Sequence, residues 1–361
     1  MITYLKSLIN SSPTKLITYA EFMEAALYHP ELGYYMNEKN KIGRQGDFIT
    51  TSNISDIFGR LMAKWFSQVC IKTNLPAAFC EMGAGNGRFA RAFLEEWHNT
   101  IQTPLQYWIV ESSPFHRKLQ NDLLKPDFSF IQLERLDELS SFEGMIFSNE
   151  LFDALPVHVV EKKNGEMYEM MVGIENDHLY EDRVPLTNPE LLSFLQENKL
   201  HLQDQQRIEV PLAMSKLILN ISSVLKKGIV VTVDYGYTNE EWMEPSRARG
   251  SLRGYYQHKL MDDVLQFPGE MDITSHIHLD DFIEKGEQVE LKYLSKLRQD
   301  EFLLNAGILQ ELTSHNDPNP FSEVSKRNRA IRSLIMPSGI SSYFHVIIQQ
   351  KGLPLNWSDL F

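Results

Sequence analysis

Leu75-Pro-Ala-Ala-Phe-Cys-Glu81-Met-Gly83-Ala-Gly85-Asn-Gly87-Arg-Phe-Ala-Arg-Ala-Phe-Leu94, followed by Tyr107-Trp-Ile-Val-Glu111-Ser-Ser113, carries the most specific pattern in the chain. A short apolar run, residues 77–80, ends in an acid, Glu81, and three glycines follow at alternate positions. Phe89, Ala90, Phe93, Leu94 and Trp97 then recur with a helical period. A second apolar run, residues 107–110, ends in Glu111. The pattern predicts strand, glycine turn, helix and strand, with a carboxylate at the tip of each strand. Glycine permits the tight turn and the close approach of backbone N–H groups to a ligand. Ligands of open α/β sheets bind at the carboxyl ends of the strands. A carboxylate after the second strand suits a ribose diol, so the stretch predicts a nucleoside-bearing ligand.

Which nucleoside is decided by charge. The run departs from the dinucleotide fingerprint, because Arg88 stands where its third glycine would be. A pyrophosphate seeks a helix N-terminus and is disfavoured by an acid beside it. S-adenosylmethionine carries no phosphate but has a cationic sulfonium and an α-ammonium, so Glu81 favours it and opposes NAD. A dinucleotide and a purely structural glycine turn remain the alternatives.

Working outward, 361 residues suffice for one large α/β domain or two smaller ones. Apolar content of 43% and charged content of 23% are those of a globular chain. A net charge of −13 argues against general binding to nucleic acid or anionic membranes and is compatible with a basic partner. The two cysteines, Cys70 and Cys80, build neither a disulfide framework nor a zinc spacing. No run approaches the ~18 apolar residues of a membrane helix. Residues 1–15 lack arginine and a cleavage pattern, which leads to the expectation of a cytoplasmic protein.

Before the glycine run, Thr18-Tyr-Ala-Glu21 has the capping-box pattern of a helix start. Ile42-Gly-Arg-Gln-Gly46-Asp47-Phe-Ile-Thr50-Thr51 reads equally as a binding loop or a surface turn, and residues 52–70 have helical spacing. After it, Pro114 opens a helix, 128–133 and 145–148 read as strands three and four, and 229–233 as the fifth, after a helix over 212–225. A plain crossover does not need residues 157–210. Their turns at Asn164-Gly165 and Asn176-Asp177 predict an inserted β-meander, followed by a more helical half. Because it leaves the tip of the fourth strand, the insertion is expected at the cofactor-side rim. Strands at 289–294 and 344–349 would close the sheet as an antiparallel pair. The expected organisation is a helical N-terminal region (1–72) contributing a cofactor-side loop, the first part of the core (73–156), the insertion (157–210) and the rest of the core (211–361).

Asn149-Glu150-Leu-Phe-Asp153 falls where the fourth strand ends. Methyl transfer is an in-line displacement, which asks the protein to align two groups and handle one proton. Two carboxylates there could clamp a guanidinium, or one could serve as base; a capping role for Asp153 beside a solvated Glu150 is the structural alternative. Asp234-Tyr-Gly-Tyr237 lies at another strand tip and reads as a substrate-orienting group or a turn. Arg247, Arg249 and Arg253 read as a solvated basic loop or as carboxylate ligands. His258, His276 and His278 lack the acid or cysteine set of a metal site, so no metal is expected.

In this order the motifs resemble the MidA-like family of class I S-adenosylmethionine-dependent methyltransferases, whose eukaryotic members include a mitochondrial protein-arginine methyltransferase. The resemblance covers nearly the whole chain. It runs through Tyr28-His-Pro30, Gly33-Tyr-Tyr35, Gly46-Asp47-Phe-Ile-Thr50, the glycine run, Val110-Glu111-Ser-Ser-Pro114, Asn149 with Glu150 and Asp153-Ala-Leu-Pro156, and Asp234-Tyr-Gly-Tyr237. It continues through Gly250-Ser-Leu-Arg253, Asp272-Ile-Thr274, Gln299-Asp-Glu-Phe302 and Leu334-Ile-Met-Pro337. The chain departs from the family at Ala84, at Thr51-Ser-Asn53 and at Ser338-Gly-Ile340. The resemblance implies a seven-stranded, mostly parallel Rossmann-like sheet and S-adenosyl-L-methionine as cofactor. It places Glu81, Gly83, Gly85, Gly87, Glu111, Gly46, Asp47 and Thr50 on the cofactor side, with Asn149, Glu150 and Asp153 catalytic. The expected acceptor is a protein bearing an arginine in a basic segment. An assembly factor or binding module on the same scaffold and a small-molecule methyltransferase are the alternatives.

Overall fold

The structure, a computed structural model, describes residues 1–38, 56–312, 319–336 and 339–361. Seven strands of the main sheet are numbered here in chain order: β1 Ala78–Met82, β2 Gln106–Val110, β3 Ile131–Leu133, β4 Phe142–Asn149, β5 Leu225–Tyr237, β6 Lys292–Arg298 and β7 Phe344–Lys351. Their spatial order is 3-2-1-4-5-7-6. The pairs β3–β2, β2–β1, β1–β4 and β4–β5 are parallel. β7 lies antiparallel between β5 and β6. A two-residue strand, Ile277–His278, runs parallel to the end of β5. The protein is thus a mixed α/β fold on a central, mostly parallel sheet.

Parallel neighbours require crossovers, and helices supply them on both faces. Successive strand residues point to opposite sides. Phe79, Phe147 and Val231 meet the helices Ile57–Thr73 and Arg88–Glu96 through Phe58, Phe66, Phe89 and Phe93. Cys80, Ile146 and Val230 meet the helices Leu212–Val224 and Leu279–Gln288 on the other face. The chain moves outward from β1 to β3 and then returns to β4 on the far side of β1. The order therefore reverses between β1 and β4, which opens a crevice above their carboxyl ends.

The stretch after β4 forms a second sheet from His158–Lys163, Glu166–Glu175, His178–Pro185 and Arg207–Val210. Its first turn places Asn164 and Gly165 at φ 53° and 84°, the left-handed pair that a tight hairpin needs. The sheet also takes in Ile17–Thr18 from the N-terminal region, paired with Val172 and Met171. Thr18 caps the helix Tyr19–Tyr28, its Oγ1 accepting from Glu21 N and its own N–H donating to Glu21 Oε2. A third, three-stranded sheet joins Arg253–Tyr256 to Lys259–Met261 and Asp272–Thr274.

Some expected boundaries shift for local reasons. The sixth strand begins at Lys292 rather than near 289, because Val289 still caps a helix and Glu290 sits at φ 69°. The third strand is confined to Ile131–Leu133, with Phe128 and Phe130 packed against the core instead. The basic loop expected around Arg247 is ordered: Arg247 lies 4.0 Å over the Tyr237 ring, and Arg253 opens a strand.

Candidate functional site

After β1 the chain turns back on itself, and Gly83 N–H donates to Val110 O at 2.9 Å. Gly83, Gly85 and Gly87 stand at φ 68°, 52° and 78°, a region that side chains rarely adopt, so the alternate glycines are a backbone requirement. Gly87 is the N-cap of the helix Arg88–Glu96. Glu111, at the tip of β2, ties the turn down. Its Oε2 accepts from Gly85 N–H at 3.1 Å and its Oε1 from Ser113 N–H at 3.0 Å. Gln120 donates to Gly85 O at 2.8 Å and reaches Glu111 at 3.4 Å. Burial raises the Glu111 carboxyl above the ordinary range, and these donors oppose the shift. Glu81 is also buried, with the Tyr107 hydroxyl donating to its Oε2 at 2.6 Å. Burial pushes it up to about 8, against the Tyr107 hydrogen bond and with the help of the Glu111 charge.

At the tip of β4 the backbone departs from the strand at Glu150, which takes φ 51°. Asn149 donates from its side-chain amide to Glu150 Oε1 at 3.0 Å. The turn that follows is built on Asp234. Its Oδ2 accepts from Phe152 N–H at 2.9 Å and Asp153 N–H at 3.3 Å, and its Oδ1 from Tyr235 N–H at 2.9 Å. Burial, then the charges of Asp153 and Glu150, hold the Asp234 carboxyl well above its usual range. Tyr235 donates its hydroxyl to Asp153 Oδ2. Burial pushes Asp153 up to about 6, against this hydrogen bond. Asp153 Oδ1 and Asn149 Oδ1 are buried and unpartnered among the described residues.

The facing wall comes from distant parts of the chain. Tyr28 donates to Ala154 O at 2.9 Å and stacks on Tyr35, whose hydroxyl donates to Asp272 Oδ1 at 2.5 Å. Ser113 donates to Tyr35 O at 2.7 Å, which joins this wall to the tip of β2. His276 stacks on Tyr237 with centroids 4.4 Å apart, and burial lowers its pKa to about 4. His278 stacks on Trp242 at 4.5 Å, so two of the three histidines are packed into aromatic layers. None of Arg247, Arg249 and Arg253 lines the cavity that the two walls enclose.

That cavity has a volume of about 950 Å3. It gathers Glu81, Gly83, Gly85, Glu111, Asn149, Glu150 and Asp153 into one lining, with Gly87 just behind it as the helix cap. Gly46, Asp47 and Thr50 lie outside the described residues. Tyr28, Tyr35, Tyr255 and Thr274 line it too, without having been assigned to it by sequence reasoning. Tyr28, Tyr35 and Thr274 did fall in quoted motifs, and that was the available signal. Seven acidic side chains and one arginine, Arg135, line the cavity among the described residues, and Arg135 is paired with Asp137. The donor set fits a cationic nucleoside ligand. The glycine turn leaves room for close backbone approach, the surroundings are acidic, and the lining residues Asn149 and Asp153 each carry a buried side-chain oxygen without a partner among the described residues.

Residues 61–295 match a protein family described as "Putative S-adenosyl-L-methionine-dependent methyltransferase". Among curated proteins, the mitochondrial protein arginine methyltransferase NDUFAF7 homolog of Drosophila melanogaster is 27% identical over 72% of this chain, and the match spans 64% of the fly protein, just under two thirds. The mitochondrial protein arginine methyltransferase NDUFAF7 of Danio rerio is 25% identical over 87% of this chain and 80% of its own length. Among solved structures, a Burkholderia thailandensis protein bound to S-adenosyl-homocysteine superposes with a TM-score of 0.91 at 27% identity, covering 100% of this chain and 94% of that one. The expected cytoplasmic location does not stand, because these curated relatives are mitochondrial. Among the described residues no helix is long and apolar enough to cross a membrane.

Proposed function

Because the chain belongs to this family of S-adenosylmethionine-dependent methyltransferases, we propose that its cavity transfers a methyl group to the guanidinium of a protein arginine. The observation that carries the acceptor assignment is the acidic character of the lining beyond the glycine turn, where buried carboxyls and tyrosine hydroxyls take the place of lysines. Curated relatives bearing the name protein arginine methyltransferase support the same reading.

In this reading Glu81, Gly83, Gly85, Gly87 and Glu111 hold the cofactor, which supplies an electrophilic methyl on a cationic sulfonium. Gly85 allows the backbone to approach the ligand closely, and Gly87 caps the helix behind it against Gln120. Glu111 keeps the turn closed through Gly85 N–H on Oε2, and its Oε1, which accepts one bond from Ser113 N–H, retains a lone pair for a ribose hydroxyl. Glu81 supplies negative charge where the ligand is positive. Asn149 and Glu150, at the strand tip between the two halves of the cavity, orient the acceptor nitrogen for in-line attack. Asp153 would take the proton that leaves the guanidinium nitrogen when the methyl passes to it from the sulfonium sulfur, which leaves as a neutral thioether, and a carboxyl held near 6 is poised for that exchange. Residues 157–210 act as an inserted unit between the core segments 73–156 and 211–361, shaping access for a protein acceptor, while 1–72 brings its tyrosines to the site.

The test is transfer of isotope-labelled methyl from the cofactor into lysate proteins, followed by mass spectrometry of labelled peptides. Methylarginine that disappears with Asp153→Asn supports the assignment. Label confined to another residue type, or to small molecules, overturns it.

A further inference from the structure

Asp153 is not the only buried carboxyl at the acceptor end. Asp272 lies on a strand of the three-stranded sheet, is 3% exposed, and lines the same cavity. The chain just past that strand is fastened beside the turn after β4, since Ser275 N–H donates to Asp153 O at 2.9 Å. Each carboxyl carries a tyrosine hydroxyl on one oxygen, Tyr235 on Asp153 and Tyr35 on Asp272. Tyr28 spans the two, stacked on Tyr35 with centroids 5.6 Å apart and bonded to Ala154 O. Tyr255 is the register partner of Asp272 on the neighbouring strand.

The geometry points to Asp153 and Asp272 as the two jaws of a guanidinium clamp, with Tyr235 and Tyr35 as positioning residues that fix the jaws' orientation and with Asp272 setting the preference for arginine over lysine. This rests on the arginine reading above and goes beyond it by moving the second jaw from Glu150 to Asp272. The two carboxyls act on one shared space. After burial, the charges of Asp153 and Asp272 are the leading influences that raise the Tyr28 hydroxyl, and both raise those of Tyr35 and Tyr255. A planar guanidinium presents donors along more than one edge and can engage two carboxylates at once, whereas an ammonium is a compact point charge. A two-jawed acidic site bounded by stacked rings therefore discriminates by shape as well as by charge. Asp153 Oδ1, buried and unpartnered among the described residues, is the acceptor left open on its side.

The experiment is calorimetric titration of the full chain, saturated with S-adenosyl-homocysteine, with an acetylated glycine peptide carrying one arginine and with its lysine analogue. The wild type should prefer the arginine peptide. Asp272→Asn should weaken the arginine peptide by roughly ten- to hundredfold, the equivalent of one charge-assisted contact, while the lysine peptide and S-adenosyl-homocysteine bind as before. Tyr35→Phe should produce a smaller loss of the same sign. Unchanged arginine affinity in Asp272→Asn, or an equal loss of both peptides and of S-adenosyl-homocysteine, overturns the clamp. A wild type that binds S-adenosyl-homocysteine but shows no preference for the arginine peptide overturns the arginine reading itself, and the clamp with it.

Discussion

Glu81 sets ligand affinity against stability within one side chain. It is buried at the cavity wall, and burial, opposed by Tyr107 and aided by Glu111, raises it from 4.5 to about 8. An acid whose folded pKa lies above its unfolded value stabilises the fold fully below about 4.5, and that contribution is lost as pH rises through about 8. Removing the charge should reverse the loss. Without cofactor, Glu81→Gln is expected to be more stable than the wild type at pH 7.5, by on the order of 4 kcal/mol, and the difference should shrink toward pH 5. Its glutamine can still accept the Tyr107 hydroxyl. With Glu81 proposed to offset the ligand's ammonium, the same substitution should weaken S-adenosyl-homocysteine and flatten the rise of affinity with pH between about 6 and 7.5 that proton release gives the wild type. Thermal melts over this range, paired with calorimetry, check both halves. Coincident melting curves at every pH would show that Glu81 is ionised at no cost, and the electrostatic account would fail.

At the scale of elements, the sheet depends on close backbone approach at the start of its central strands. A Cβ on Gly144 would stand 2.2 Å from Ala78 O, and one on Gly228 would stand 1.9 Å from Gly144 O, so β1, β4 and β5 start with no room for a methyl group. Gly165, at the hairpin of the second sheet, has nothing within 4 Å of its Cβ position and is special only in its φ of 84°. Gly144→Ala is therefore expected to destabilise the protein by roughly 3 kcal/mol through overpacking. Gly165→Ala should cost about 1 kcal/mol of backbone strain and leave methyl transfer intact. Urea unfolding of the two variants separates these costs, and equal losses would mean that the sheet can spread. The contrast also marks what could be read from the chain. Local chemistry was legible: the Thr18–Glu21 box starts a helix, Asn164-Gly165 makes a hairpin, and the acid at each strand tip lies at the crevice. Non-local pairing was not. Ile17–Thr18 is two residues long, and its partner is a strand about 150 residues away. The strands of the third sheet have three or four residues each, too short for alternation to show. Tyr107 and Gln120, which hydrogen-bond the two strand-tip acids, reach Glu81 and Glu111 only through sheet register and helix packing.

For the whole molecule, the same tertiary joins that hid the acceptor wall from the sequence also decide how an acceptor arrives. The N-terminal region supplies Tyr28 and Tyr35, the third sheet supplies Asp272, and β4 and β5 supply Asp153 and Tyr235, so the cavity exists only when all of them are docked. The assembled chain carries a net charge of −13, and seven acidic side chains line the cavity among the described residues. A low-dielectric cleft lined by one sign of charge focuses the field and accelerates encounter with the opposite sign. Screening acts mainly on the exposed approach, because the Debye length contracts to roughly 10 Å at 0.1 M salt while buried pairs are little affected. Stopped-flow mixing of a lysine- and arginine-flanked arginine peptide with the S-adenosyl-homocysteine complex should therefore show an association rate that falls about tenfold between roughly 20 and 200 mM salt. A glycine-flanked arginine peptide should fall by less, and dissociation rates of both should change little, because the proposed guanidinium site lies at buried carboxyls. An association rate independent of salt for both peptides would mean that the net charge does no steering and that selection of the acceptor begins only at the buried carboxyls.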